Sequence, residues 1–127
     1  MNNKLRIVED GNVVVVSFTD VAILDETSIK EIGDELENIV KAKEKINLII
    51  NFTNVDYLSS AVLGRLVKIY KAVKLSSGKM LLCNIKNNIL QVFKITKLDK
   101  MFEIFPDQDK AVKSVKGNTG FKFFWQK

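Results

Sequence analysis

The sequence contains no histidine and only one cysteine, Cys83. Histidine is the commonest general base and the commonest metal ligand. Its absence excludes a Ser-His-Asp triad and leaves a zinc centre without its usual donors. A lone cysteine forms no internal disulfide, which suits a reducing compartment. Inside an apolar, strand-like run it reads as a small buried hydrophobe. Neither a GxxxxGK[ST] phosphate loop nor a GxGxxG fingerprint occurs, and proline appears once, at Pro106. No apolar run approaches the roughly 20 residues of a membrane span. Residues 1–9 carry charges but no apolar centre of a signal peptide. The expectation is a cytoplasmic chain that performs no catalysis and uses neither a cofactor nor a metal.

The chain has 127 residues, enough for one domain with a single core. Hydrophobic residues make up 46% and charged residues 28%, ordinary for a globular protein. The formal net charge is +5, and much of the excess lies late, on Lys94, Lys97, Lys100, Lys110, Lys113, Lys116, Lys122 and Lys127. These lysines are interspersed with acids and apolar residues, as on a solvated surface. Arg65, Lys68, Lys71 and Lys74 read as the polar face of a helix, not as a nucleic-acid reader. No nucleic-acid partner and no direct membrane insertion are expected.

Apolar periodicity orders the elements. Leu5 and Ile7 form one short strand, and the run 13–18 a second, with the turn residues Gly11 and Asn12 between them. The second lacks alternation, which predicts cover on both faces. Ile29, Ile32, Leu36, Ile39 and Val40 recur at helical spacing, with Ser28 and Glu31 in capping-box register. Residues 46–52 read as a buried strand, 53–58 as a loop, and 61–75 as a helix closed by Gly78 in a left-handed cap. A strand over 79–85 follows, then a short helix capped by Asn87 or Asn88. A last strand over 102–105 ends at Pro106, and residues 107–115 form a final helix. The order β-β-α-β-α-β-α-β-α predicts parallel crossover connections after an antiparallel hairpin. Residues 1–116 are read as the domain. Residues 117–127, with Phe121, Phe123, Phe124 and Trp125, form an aromatic-rich extension that either packs on the domain or meets a partner.

The polar groups able to converge are Asp20, Asp25, Asn51, Asn54, Asp56, Ser59 and Ser60. Asp25 and Glu26 suit the positive end of a helix dipole better than a catalytic carboxylate pair. The two serines stand where a buried strand and its loop meet the next helix. Either can serve as an ordinary N-cap. A phosphate on either would place about −1.5 to −2 charges at unpaired helix N–H groups.

At this segment the sequence resembles a known family. "INLIINFTNVDYLSSAVLGRLVKIYK" is similar to the STAS pattern of a buried strand followed by V-D-[FY]-[IL]-D-S-S-G-L-G and a helix. "FKITKLDKMFEIF" resembles that family's L-x-x-T-G-L-D-x-x-F-x-I-[FY], with Lys97 at the glycine. "LDETS" resembles its L-D-x-x-T, with Asp25 matching and Ser28 at the threonine. The resemblance covers the chain to about Val115. It implies an α/β fold: a mixed sheet of four or five strands with helices packed mainly on one side. It also implies a bacterial anti-sigma factor antagonist that regulates transcription by partner switching. Such a protein binds an anti-sigma factor that is a serine kinase, is phosphorylated by it, and is reset by a phosphatase. Aligned without gaps, Ser59 matches the family's Asp, Ser60 its first Ser and Ala61 the second, usually phosphorylated Ser. Ser60 and Ser59 are then the phosphorylation candidates. The partner surface comprises Asp25, Asn51, Asn54, Asp56, Tyr57, Ser59, Ser60, Ala61 and Gly64. The alternative is a constitutive subunit of a lipid-transport or stress-sensing complex, which Ala61 and the extra segment 117–127 favour. The expected assembly is a monomer or weak dimer.

Overall fold

A computed structural model of the chain describes residues 5–19, 22–24 and 26–116. Strand β1 (Leu5–Asp10) turns at Gly11 and Asn12 and pairs antiparallel with β2 (Val13–Phe18). The chain continues through β3 (Ala22–Leu24) and α1 (Glu26–Ala42) into β4 (Asn47–Asn51). Next come β5 (Val55–Leu58), α2 (Ser60–Leu75) and β6 (Lys79–Cys83). Helix α3 (Asn87–Ile95), a 3-10 turn at Leu98–Lys100, β7 (Glu103–Phe105) and α4 (Gln108–Lys116) complete the fold. The main sheet has five strands in the order β1-β2-β4-β6-β7, parallel except for the opening hairpin.

The unbroken apolar runs of the inner strands are explained by their two faces. Val14, Val16, Leu48, Ile50, Met80 and Leu82 are buried under α1, α2 and α3. The alternate residues Val13, Val15, Ile49, Leu81 and Cys83 are buried under Ala111 and Val112 of α4. Three helices thus cover one face and one short helix covers the middle of the other. Strands buried on both sides show no polar alternation.

The sequence reading places the five strands of the main sheet and the four helices, but it misses β3 and β5 and errs at several boundaries. Residues 53–58 are not wholly loop: β5 pairs parallel with β3 in a separate two-stranded sheet. Both strands are too short to carry a readable period. Helix α1 begins at Glu26, so Ser28 lies inside its first turn and does not start it. Lys86, without a side-chain cap bond, holds the N-cap position of α3, and Asn87 is already helical.

At the end of α2 it is Ser77, with φ +64°, that adopts the left-handed conformation. The Gly78 N–H bonds the Val73 carbonyl and the Ser77 N–H bonds the Lys74 carbonyl, a Schellman arrangement. Gly78 is needed for another reason: a Cβ there would stand 2.3 Å from the Ile46 carbonyl oxygen. Arg65, read as solvated, instead crosses to α1, where its Nε donates to Glu37 (2.9 Å) and its Nη2 to Asp34 (2.6 Å). The bond to Asp34, opposed by desolvation and joined by Glu37, raises the guanidinium pKa further. The expected extension, 117–127, lies outside the described residues.

Two outcomes follow from this packing. Lys97, at the position where the resemblance has glycine, adopts φ +64°, a region that costs a residue with a Cβ about 1–2 kcal/mol. Lys97→Gly therefore stabilises the domain by about 1 kcal/mol in urea unfolding. Burial, with a smaller contribution from Asp107, pushes the Cys83 thiol up from 9.0 to about 12. Below pH 9 the thiol is protonated whether the chain is folded or not, so its packing contributes in full and it adds no pH dependence to stability. Between pH 9 and 12 it ionises only in the unfolded chain, so its contribution is lost as pH rises. The stability advantage of the natural chain over Cys83→Ala should shrink across that range in pH-dependent melting.

Candidate functional site

The parallel strands β2, β4, β6 and β7 bring their carboxyl ends to one rim, where α/β sheets place their ligands and partners. Asn51, the last residue of β4, builds the turn that leaves the sheet. Its Oδ1 accepts from the Thr53 N–H (2.8 Å) and hydroxyl (2.6 Å). Its Nδ2 donates to Gln108 Oε1 of α4 at 2.9 Å. Asn54 Nδ2 donates to the Phe18 carbonyl at 2.7 Å, tying this turn to the end of β2.

Strand β5 then sorts its residues by side. Val55 and Leu58 enter the core, whereas Asp56 and Tyr57 face outward, Tyr57 with 50% of its surface exposed. Asp56 accepts a hydrogen bond from Lys86 Nζ at the start of α3. Ser59 is the N-cap of α2: its backbone is extended and its Oγ accepts from the Val62 N–H at 3.3 Å. Ser60 is the first helical residue and is exposed. Ala61 is half-buried, and Val62 and Leu63 point into the core. One turn after Ser60, Gly64 is exposed with no heavy atom within 4 Å of where a Cβ would be.

The residues singled out in the sequence thus fall into two groups. Asp56, Tyr57, Ser60 and Gly64 are exposed on β5 and α2. Asn51 and Asn54 instead line an open groove of about 310 Å³ with Arg6, Ser17, Thr19 and Thr53. Asp25 lies outside the described residues. The two serines, equivalent in the sequence, differ in structure: the Ser59 hydroxyl is engaged in capping, and the Ser60 side chain is at the surface. Helix α2 has no acidic residue in its first turn to offset the dipole, whose positive end favours an anion there.

Three neighbours escaped the sequence reading. Lys86 and Gln108 lie far along the chain from the residues they bond, and nothing local signals either pairing. Asn84, just after β6, adopts φ +58°. Its Oδ1 is buried without a partner among the described residues. An asparagine directly after an apolar strand is a sequence signal for such a left-handed exit. Among the described residues no cluster of acidic and sulfur ligands is placed to hold a cation.

The STAS domain model matches residues 4–111. Among solved structures, an anti-sigma-factor antagonist (STAS) domain protein from Planctomyces limnophilus superposes with a TM-score of 0.81 at 21% identity, covering 87% of this chain and 96% of that one. The anti-sigma factor antagonist SpoIIAA in its unphosphorylated form gives 0.77 at 16% identity, covering 91% and 99%. The phosphorylated form of the Bacillus cell fate determinant SpoIIAA gives 0.67 at 16% identity, covering 87% and 98%. At these identities the likeness is one of fold.

The two serines are separable by their effect on folding. Ser59→Ala should cost about 0.5–2 kcal/mol through the lost cap. Ser60→Ala should stay within about 0.5 kcal/mol of the natural chain, as surface substitutions do. Urea unfolding of both variants measures the difference.

Proposed function

The chain belongs to the STAS domain family, and on that premise we propose that it acts by binding another protein and catalyses nothing itself. The partner is an anti-sigma factor with serine-kinase activity. The antagonist engages it through the outward face of β5 and the first turns of α2, and in doing so releases a sigma factor and alters transcription. The observation that carries this reading is the exposed first turn of α2. Ser60 projects from a helix start whose N-cap is already supplied by Ser59, beside exposed Asp56 and Tyr57 and one turn before uncovered Gly64. A half-exposed tyrosine suits a protein partner, because tyrosine is enriched at such contacts.

Control of the complex is assigned to Ser60. The residue matching the family's usual phosphoserine is Ala61, which has no hydroxyl. Ser60 is exposed, and its hydroxyl is not needed for the cap. A phosphate there adds charge to the contact face while sitting at the favourable end of the helix dipole, so it alters binding and leaves the fold intact. That a relative is known in both unphosphorylated and phosphorylated forms supports the same reading. A phosphatase completes the cycle. The half-buried Ala61 favours one other reading, a constitutive subunit of a lipid-transport or stress-sensing complex that carries no phosphate.

The test is recovery of the chain with its partners from native cells, with phosphopeptide mapping across residues 51–65. The reading expects a kinase-type anti-sigma factor in the complex and phosphate on Ser60. It also expects Ser60→Asp to weaken binding of that partner by about tenfold or more without lowering the melting temperature. An unmodified peptide with a transporter or scaffold bound would favour the constitutive subunit. Undiminished binding of Ser60→Asp to a kinase partner would remove the switch from Ser60.

A further inference from the structure

The opposite rim, at the amino ends of the parallel strands, has a different surface. Helices α2 and α3 both run back towards it on the same side of the sheet. A chain of edge-to-face rings, Tyr70–Phe102 (centroids 5.4 Å apart) and Phe102–Phe93 (6.0 Å), ties them to the segment that enters β7. The last turn of α3 and the 3-10 turn therefore pack together, beside the middle of α2, whose own end reaches the same rim. They expose three large apolar side chains: Leu75 (89%), Ile95 (79%) and Met101 (37%). The same segments carry Lys71, Lys74, Lys94, Lys97 and Lys100, all exposed. Among the described residues none of the five lysines forms an ion pair. Helices α2 and α3 contain no acidic residue, and the turn that follows adds only Asp99, with Glu103 opening β7.

We infer that this rim is a docking face for an anionic lipid bilayer, touched peripherally. The chemistry favours that occupant over others. Lysines keep their charge in water while aliphatic tips enter the headgroup boundary, the pattern of interfacial protein surfaces. Protein interfaces are depleted in lysine and favour arginine and aromatics. Single-stranded nucleic acid calls for exposed aromatic rings to stack on, and Tyr70, Phe93 and Phe102 are turned into the core cluster. Among the described residues no helix is long and apolar enough to cross a membrane, so the contact is at the surface. The rim lies at the far end of the sheet from Ser60, which leaves the partner face open when the bilayer is bound.

The test is co-sedimentation of the full chain with phosphatidylcholine vesicles, with and without about one-quarter phosphatidylglycerol. The inference expects binding only to the anionic vesicles, weakened by added salt. The triple variant Lys74→Glu, Lys94→Glu, Lys100→Glu should bind them roughly a hundredfold more weakly. Leu75→Ser with Ile95→Ser leaves the charge unchanged and should weaken binding about tenfold, which decides the matter if the triple variant does not fold. Equal binding to both vesicle types, no binding to either, or undiminished binding by the variants would overturn it. So would tight binding to duplex DNA with none to vesicles.

Discussion

The structure depends on β2, β4 and β6 being dry on both faces. These strands contribute Val14, Ile49, Leu81 and Leu82 with no measurable exposure, and no amphipathic sheet can be built from such residues. One face requires three helices, and the other requires the chain to return after β7 and lay α4 across it. The tightest point of this arrangement is backbone against backbone. The Ile46 carbonyl at the start of β4 receives the Lys79 N–H at 2.8 Å, directly beside Gly78. The exit of α2 and the entry of two adjacent strands are fixed there together, and the far ends of those strands, where the candidate site lies, take their positions from it.

Helices α1 and α2 have complementary charge. Helix α2 has only basic charged residues, and α1 supplies Asp34 and Glu37 to its Arg65. Glu37 and the Arg65 cation are partly desolvated where the helices meet while Asp34 stays exposed, so the pairing reinforces the rotation of α2 that its buried face sets. That rotation decides which residues of the first turn point outward. Ser60 and Gly64 are presented because Val62, Leu66 and Ile69 on the inner side and Arg65 on the α1 side are already committed.

Much of this was legible in the sequence because hydrophobic period is a local property. The unalternating run of valines at 13–16 announces a strand covered on both sides. The 3.6-residue spacing from Ile29 to Val40 announces a helix, and the crossover order announces a parallel sheet. The misreadings share a physical cause. Strands β3 and β5 are three and four residues long, below the length at which a period-two pattern can be recognised, and they are held by pairing with each other. The helix-closing residue was misassigned because Gly is the usual left-handed residue, yet here Ser77 takes that conformation and Gly78 is required by a neighbour distant in sequence. The candidate site was legible only as a set of residue types. The contrast between Ser59 and Ser60 arises from where the helix begins, and the bonds of Asn51 to Gln108 and Asp56 to Lys86 join segments that no local pattern connects.

The β3–β5 ribbon has a consequence for how the site can respond. Among the described residues it shares no hydrogen-bonded ladder with the five-stranded sheet, and of β5 only Val55 and Leu58 anchor it in the core. A segment fastened in this way opens at a free energy set by a few local bonds and two side chains, well below that of global unfolding. The outward face of β5 is therefore expected to open locally before the main sheet does. Its amide hydrogens exchange with solvent ahead of those in β2, β4 and β6. A ligand that grips Asp56 and Tyr57 can reshape this strand while the sheet behind it stays closed.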